Sequence, residues 1–268
     1  MKSILCFLLG AFGVASAAEL TVVPQNGMAL VAASVDGTPC TLLVDTGASH
    51  TTLDLGFVTN ALKDVALQDV ELVGRTNVAT PPKFVATKTL AVGEATFATE
   101  GLMALDLGHL HQAVGRKVDG ILGMNHLRAK RCVLSLRRGK LIWNPDKSEY
   151  EGFQPLRVRD RGTTFDVLTE TPTGQPIALL VDSGSTFTFV DETLWPPAEA
   201  EVKMNTADVN VRMAQSFRRG KEAEIACGDG LKLVVSPVLT PEKNRNQLGA
   251  DVFRQHDLLI VHNRLGLR

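Results

Sequence analysis

The sequence is poor in aromatic side chains and carries almost no net charge. Aromatic residues make up 5% of the 268 positions, with a single tyrosine, and 28 basic side chains stand against 29 acidic ones. A protein that binds nucleic acid usually needs a positive surface and aromatic rings on which bases stack. The composition therefore argues against nucleic acid as a partner, and it provides no electrostatic basis for binding an anionic membrane.

Cysteines are also scarce. The chain has four, and the spacing of Cys40, Cys132 and Cys227 matches no metal-binding signature. We expect these three to be small buried side chains, with one disulfide and one leftover thiol as the alternative. The sequence predicts no metal site and no cofactor.

Long apolar runs are missing except at the amino terminus. There, Lys2 precedes the apolar stretch 4–14, and Ala15-Ser16-Ala17 has the small-x-small form of a cleavage site. This pattern predicts a signal peptide over residues 1–18, cut near Ala17 or Ala18. Because the stretch is too short to remain as a membrane anchor, we expect a secreted or periplasmic mature protein.

The most informative feature of the sequence is an internal repeat. Residues 42–54 read LLVDTGASHTTLD and residues 179–191 read LLVDSGSTFTFVD, with seven identical positions out of thirteen. A second shared element follows each copy, at Ile121-Leu122-Gly123 and at Gln247-Leu248-Gly249. The same two elements in the same order indicate two homologous lobes, which we place at residues 19–148 and 149–268.

Both lobes are predicted to be built from strands. Short runs of alternating or β-branched apolar residues recur along the chain, for example at 28–35, 84–90, 165–169 and 231–235. Patterns of helical period are scarce. The segment 144–160 contains prolines and a glycine among charged residues, so it is the expected connection between the lobes. The fold class predicted from these patterns is all-β.

The repeated turn contains groups suited to acid–base chemistry. In each copy a buried strand ends at an aspartate, Asp45 or Asp182, and a hydroxyl residue and a glycine follow. Two such turns related by a pseudo-twofold axis would bring the carboxyl groups face to face, where they would share one proton. One carboxylate would then take a proton from water while the other protonates a substrate carbonyl.

These motifs resemble the aspartic proteases of the pepsin/retropepsin clan. The resemblance rests on LLVDTGAS, DGILG, LLVDSGST and the segment that begins with QLGADVF, all in the family's order. It implies two β-barrel lobes with an active-site cleft between them and a six-stranded core. It also implies a monomeric aspartic endopeptidase that binds a peptide or protein substrate in extended form.

The family's functional residues can be carried over by position. Asp45 and Asp182 match the two catalytic aspartates. The resemblance implies that Thr46 and Ser183 carry the hydroxyls that lock the two loops together, and that Gly47 and Gly184 are the turn glycines. It implies that the Ser185 hydroxyl contacts the outer oxygen of the second aspartate, and that Gly123 and Gly249 are the glycines of the downstream elements.

The first lobe departs from the pepsin-like pattern at two places. Ala48 stands where those enzymes carry a hydroxyl, so one hydrogen bond to ionised Asp45 should be missing and the pH optimum should be less acidic than that of pepsin. The segment 71–84, where a substrate-covering flap is expected, contains no tyrosine. We assign the flap tip to Gly74, Arg75, Thr76 and Asn77, and its equivalent in the second lobe to 205–220.

Two other functions remain open on the sequence alone. The departures at Ala48 and in the flap are compatible with a catalytically inactive, pepsin-like peptide-binding protein of the cell envelope. A scaffold that uses the cleft or its sheet edges for interactions is the second alternative.

Overall fold

The computed structural model describes residues 16–23, 27–62, 65–69, 82–208, 211–243 and 245–268. The protein is mostly β, with 46% of residues in strands and 12% in helices. This confirms the prediction of a β protein. We call residues up to 148 the first half and residues from 149 the second half.

Among the described residues, the first half contains twelve strands and most of the short helices. In chain order its elements are β1 (Ser16–Val22), β2 (Ala29–Val35), β3 (Thr38–Val44), β4 (Thr52–Asp54), α1 (Leu55–Ala61), β5 (Leu67–Asp69), β6 (Lys83–Val85), β7 (Thr89–Val92), β8 (Ala95–Ala98), β9 (Leu102–Leu105), α2 (Gly108–Val114), β10 (Gly120–Leu122), α3 (Met124–Leu127), β11 (Cys132–Ser135) and β12 (Lys140–Trp143). The helix α4 (Lys147–Tyr150) lies at the junction with the second half.

The second half continues with partly longer strands. Its elements are β13 (Gln154–Pro155), β14 (Val158–Asp160), β15 (Phe165–Glu170), β16 (Pro176–Val181), β17 (Phe189–Asp191), β18 (Pro197–Asp208), β19 (Val211–Gly220), β20 (Ala223–Ala226), β21 (Lys232–Val235), β22 (Val238–Thr240), β23 (Gln247–Leu248), α5 (Ala250–Phe253), β24 (Leu258–Val261) and β25 (Arg264–Leu267).

The same strand arrangement surrounds the repeated motif in both halves. In the first half β3 is parallel to β10, β10 is antiparallel to β4, and β4 is parallel to β9. In the second half β16 is parallel to β23, β23 is antiparallel to β17, and β17 is parallel to β22. The apolar strand that precedes the aspartate, β3 or β16, therefore lies next to the strand that leads to the downstream glycine, β10 or β23, in each half.

Six neighbouring strands join the two halves. Their order is β13-β25-β24-β11-β12-β1, and the halves meet where β11 pairs antiparallel with β24. Buried Asp257 closes this junction, because its carboxylate accepts hydrogen bonds from Ser135 Oγ at 2.6 Å and from the Arg137 guanidinium at 3.1 Å. Arg268 also reaches the same carboxylate at 3.3 Å.

The apolar core runs through both halves. Trp143 and Trp195 are almost fully buried, as are Cys40, Cys132 and Cys227. The three cysteines are free thiols, which confirms their interpretation as small buried side chains and leaves the disulfide alternative unsupported. Among the described residues, no helix has the length and apolar character needed to cross a bilayer.

Candidate active site

Each half delivers one aspartate at the end of a buried strand. Asp45 follows β3 and Asp182 follows β16, and in both cases the aspartate N–H donates to the carbonyl of the neighbouring strand, to Leu122 at 3.1 Å and to Leu248 at 3.0 Å. The strands hold this position because Val44 and Val181, which precede the aspartates, are completely buried. The chain therefore has little freedom at the point where each carboxyl group begins.

The two turns are locked together by buried hydroxyl groups. The Thr46 hydroxyl donates to the Val181 carbonyl at 2.8 Å and accepts the Ser183 N–H at 2.9 Å. The Ser183 hydroxyl in turn donates to the Val44 carbonyl at 2.9 Å and accepts the Thr46 N–H at 3.1 Å. Each hydroxyl thus completes the backbone hydrogen bonding of the opposite half, which is the contact that the resemblance implies for these two residues.

The turn glycines allow the carboxyl groups to approach. A Cβ atom on Gly47 would lie 2.6 Å from Asp182 Cγ, and a Cβ on Gly184 would overlap Asp45 Cγ. Each glycine therefore lies directly against the aspartate of the opposite half. Because no side chain fits at either position, the spacing of the two carboxyl groups depends on both glycines.

The two carboxyl groups are hydrogen-bonded to each other. Asp45 Oδ1 also accepts the N–H groups of Gly47 at 2.8 Å and Ala48 at 3.0 Å, whereas Asp182 Oδ1 accepts the Gly184 N–H at 3.0 Å. Both aspartates keep partial exposure as residues. These contacts create a pair of carboxyl groups at the meeting point of the two halves.

The electrostatics of the pair favour a single shared proton. Burial raises the pKa of Asp45 and raises the pKa of Asp182 further, because the charge of Asp45 and the hydrogen bond between the carboxyl groups act on Asp182 in the same direction. The two groups therefore titrate as a pair and share one proton, with one carboxyl group protonated while the other is ionised. One acid and one base in direct contact can carry out general acid–base chemistry.

The downstream glycines pack beneath the turns in the same way. A Cβ on Gly123 would overlap the backbone at His50, and a Cβ on Gly249 would overlap the backbone at Phe187. The N–H of each glycine donates to a threonine hydroxyl of the repeated motif, Gly123 to Thr51 at 2.9 Å and Gly249 to Thr188 at 3.1 Å. These threonines were missed by sequence reasoning, although they are among the identical positions of the repeat.

Ser185 differs from its expected role. Its hydroxyl donates to the Phe187 carbonyl at 2.9 Å instead of to the outer oxygen of Asp182. The Ser185 N–H donates to the backbone carbonyl of Asp182 at 3.3 Å and also lowers the pKa of the Asp182 carboxyl group. The expectation of a side-chain hydrogen bond is therefore corrected, and the reason is that the hydroxyl satisfies a carbonyl of its own turn. Ala48 likewise contributes only its N–H to Asp45.

The expected flap tip, Gly74, Arg75, Thr76 and Asn77, lies outside the described residues. In the second half, the described part of the segment 205–220 belongs to the long hairpin of β18 and β19. Strand β18 contacts α2 of the first half. Within the described ranges, no group of three or more histidine, cysteine, aspartate or glutamate side chains is arranged to hold a metal ion.

Comparison with known protein families gives a match within the first half. Residues 31–126 match the model of the aspartyl protease family, which confirms the resemblance to aspartyl proteases of the pepsin/retropepsin-like type. The matched segment, about a third of the chain, includes Asp45 and Gly123, whereas Asp182 lies beyond it. The match supports a protease-type function. A search of curated proteins gave no match.

Proposed function

We propose that the protein is an aspartic endopeptidase that hydrolyses peptide bonds with a water molecule activated between Asp45 and Asp182. The observation that supports this proposal is the hydrogen-bonded carboxyl pair, held by reciprocal contacts from both halves. A structural ion pair would need a cation, but here two acids face each other and both keep partial exposure. Such a pair is costly to bury and is useful where one proton must move between two positions.

The proposed reaction has two steps and returns both carboxyl groups to their starting state. In the first, ionised Asp45 takes a proton from water, the water oxygen attacks the peptide carbonyl carbon, and protonated Asp182 gives its proton to the carbonyl oxygen. In the second, Asp45 protonates the leaving nitrogen while Asp182 takes a proton from a hydroxyl of the tetrahedral intermediate. The carbon–nitrogen bond then breaks to give an acid and an amine.

The proposal includes an arrangement of two homologous β-barrel lobes, residues 19–148 and 149–268, with the substrate cleft between them. Three features support it: the repeated motif, the matching strand pairings around each aspartate, and the six strands that join the halves. An extended peptide in this cleft would be bound by strand-like hydrogen bonds. We propose that the enzyme acts as a monomer, since each half supplies one aspartate.

We also propose that the protein is exported and that residues 1–18 are removed, which would shorten β1 to residues 19–22 and keep the pairing of Glu19 with Lys140 in β12. The support is the charged, apolar and small-residue pattern of the first eighteen positions. Expression of the full chain with sequencing of the amino terminus of the exported product tests this step. Cleavage after Ala17 or Ala18 is the expected result, and an uncleaved cytoplasmic product would contradict it.

The test of the proposed function is cleavage of a mixed peptide library at several pH values. We expect internal cleavage with an optimum above about pH 3, inhibition by statine-type inhibitors, and a loss of at least about 10⁴-fold in kcat/KM for Asp45→Asn or Asp182→Asn. If the wild-type protein binds library peptides but cleaves none, the proposed enzyme activity is contradicted and the peptide-binding alternative is favoured. Ala48 and the absence of a tyrosine in 71–84 are the sequence features that support this alternative.

A further inference from the structure

Two residues occupy matching positions beneath the aspartate turns but differ in chemistry. Asn125 Oδ1 accepts the N–H of Thr51 at 2.8 Å and its hydroxyl at 3.2 Å. In the second half, Asp251 Oδ1 accepts the hydroxyl of Thr188 at 2.9 Å, and the Thr188 N–H also donates to this carboxyl group. The same double contact is therefore made by a neutral amide in one half and by a titratable acid in the other.

The contact of Asp251 leads directly to the second catalytic turn. Thr188, which Asp251 holds, accepts the Gly249 N–H at 3.1 Å. The next residue, Ala250, donates its N–H to the Ser185 carbonyl at 2.7 Å, and the Ser185 N–H contacts Asp182. A short chain of hydrogen bonds thus connects Asp251 with the segment that sets the position of Asp182.

The surroundings of Asp251 disfavour its charge. Burial raises the pKa of Asp251, and the hydrogen bonds from Thr188 and from the Val252 N–H, together with the charge of Arg254, offset only part of this effect. Arg254 is the charged group that acts on Asp251 among the described residues, and the other groups that act on it are uncharged. The carboxyl group therefore gains its charge at a higher pH than an ordinary aspartate.

The matching site in the first half stays uncharged at moderately acid and neutral pH. Asn125 does not titrate. His126, whose Nδ1 lies 2.8 Å from the Thr51 hydroxyl, is buried, and burial together with the charge of His50 lowers the pKa of His126 to about 4. Above this value both groups beneath the first turn are neutral.

We propose that Asp251 is a positioning residue for Asp182 whose support of the second turn is stronger in acid than at neutral pH, whereas Asn125 supports the first turn equally at both. When protonated, Asp251 offers a neutral carbonyl oxygen like the amide oxygen of Asn125. When ionised, it places a partly desolvated charge there, and the segment opens more readily to water. The inference rests on the proposed function insofar as Asp182 is catalytic.

Thermal unfolding of wild type and of Asp251→Asn tests the titration. A folded-state pKa above the unfolded value means that the folded protein binds the proton more tightly, so this stabilisation is present in acid and is lost as pH rises through the raised pKa. We expect equal Tm values at about pH 4 and a Tm about 3 °C higher for the variant at about pH 7.5. If the Tm difference between Asp251→Asn and wild type were the same at both pH values, the proposal would be overturned.

The matched control is Asn125→Asp, which places the same acid beneath the first turn. It should lower Tm at about pH 7.5 and have less effect at about pH 4, the reverse of Asp251→Asn. A loss of Tm that is equal at the two pH values would show that an acid at this position does not titrate as the proposal requires.

Two readouts separate positioning from titration alone. Amide exchange in the wild type should show roughly threefold or greater loss of protection at Gly249 between about pH 4.5 and pH 7.5, after correction for the intrinsic rate, with no such loss at Gly123. In Asp251→Asn, kcat/KM should match wild type at about pH 4.5 and exceed it roughly threefold at about pH 7.5. The positioning role would be overturned if Gly249 and Gly123 lost amide protection equally between the two pH values. It would also be overturned if the pH profiles of kcat/KM for the variant and wild type were the same.

Failure of this proposal can be distinguished from failure of the proposed function. If the wild type cleaves no peptide at any pH, the proposed function fails, and the exchange comparison of Gly249 with Gly123 alone decides whether Asp251 supports the turn in a pH-dependent way.

Discussion

The two halves share the frame of the site but differ in the chemistry around it. Strand order, turn glycine, locking hydroxyl and downstream glycine correspond one to one. The groups next to this frame do not correspond: Ala48 is matched by Ser185, His50 by Phe187, and a neutral amide by a carboxyl group beneath the turn. The positions of the aspartates and of the residues that hold them are thus the same in both halves, whereas the electrostatic environment of each aspartate differs.

This difference makes the surroundings of the two equivalent aspartates unequal. Asp45 Oδ1 accepts two N–H groups, from Gly47 and Ala48, which favours the charged form. The charge of Asp45 raises the pKa of Asp182, in addition to the effect of burial. An acid and a base are therefore obtained from a nearly symmetric frame. Substitutions at the shared positions test whether the two halves are equivalent. Substitutions at the neighbouring positions, which differ between the halves, test what makes the two aspartates unlike.

The largest effect on stability is expected at the turn glycines. Gly47→Ala and Gly184→Ala each force a Cβ into the carboxyl group of the opposite half, so each should destabilise the protein by about 3 kcal/mol or more and reduce the soluble yield. Chemical denaturation measures this loss. If one variant kept the stability of wild type while the other lost it, the two turns would not be equivalent.

The locking hydroxyls should give the next largest effect. Thr46→Val leaves the Val181 carbonyl and the Ser183 N–H without partners, and Ser183→Ala does the same to the Val44 carbonyl and the Thr46 N–H. We expect each to cost about 2–3 kcal/mol in the free energy of unfolding. Thr46→Ser keeps the hydroxyl and serves as the control, with a cost below about 1.5 kcal/mol. Equal losses for Thr46→Ser and Thr46→Val would contradict the role of the hydroxyl.

A smaller, pH-dependent effect is expected at Asp182. Because burial and the charge of Asp45 raise its pKa, the folded protein holds the proton more tightly than the unfolded chain, and the resulting stability is lost as pH rises through the raised pKa. Asp182→Asn removes this loss. Its Tm should exceed that of wild type by about 3 °C near pH 7 and approach it in acid. A gap that is constant with pH would show that Asp182 does not hold the shared proton.

The smallest effect is expected at Ser185. Its hydroxyl contacts the Phe187 carbonyl, so Ser185→Ala should cost about 1 kcal/mol or less and change kcat/KM less than about threefold. This result would make the two turns alike, since Ala48 has no hydroxyl either. A loss above about tenfold, with a shift of the acidic limb of the pH profile, would show that the hydroxyl reaches Asp182 during the reaction.

The fold class and the centre of the site could be predicted because they depend on local patterns. Alternating apolar residues indicate strands, and an aspartate between a buried strand and a glycine indicates a sharp turn. The repeat then relates Asp45 to Asp182 without any knowledge of their distance. The reciprocal contacts of Thr46 and Ser183 agree with this reasoning.

The supporting contacts could not be predicted, because they depend on choices among nearby partners. The Ser185 hydroxyl can reach either a carboxylate or a carbonyl of its own turn, and only the three-dimensional path of the chain decides between them. Asn125 and Asp251 lie far from the threonines they contact, 74 and 63 residues apart in sequence. The identical threonines of the repeat, Thr51 and Thr188, indicated a shared supporting role. Their partners could not be found in the same way, because one is an asparagine and the other an aspartate.

The junction between β11 and β24 has a consequence for the timing of synthesis. Ser135 and Asp257, which meet there, are 122 residues apart, so a ribosome that adds about 5–20 residues per second completes β24 on the order of ten seconds after β11. During that interval β11 has a free edge, and Asp45 has no partner carboxyl group until Asp182, 137 residues further along the chain, has been added. The junction that joins the two halves is therefore completed only after both aspartates have been synthesised.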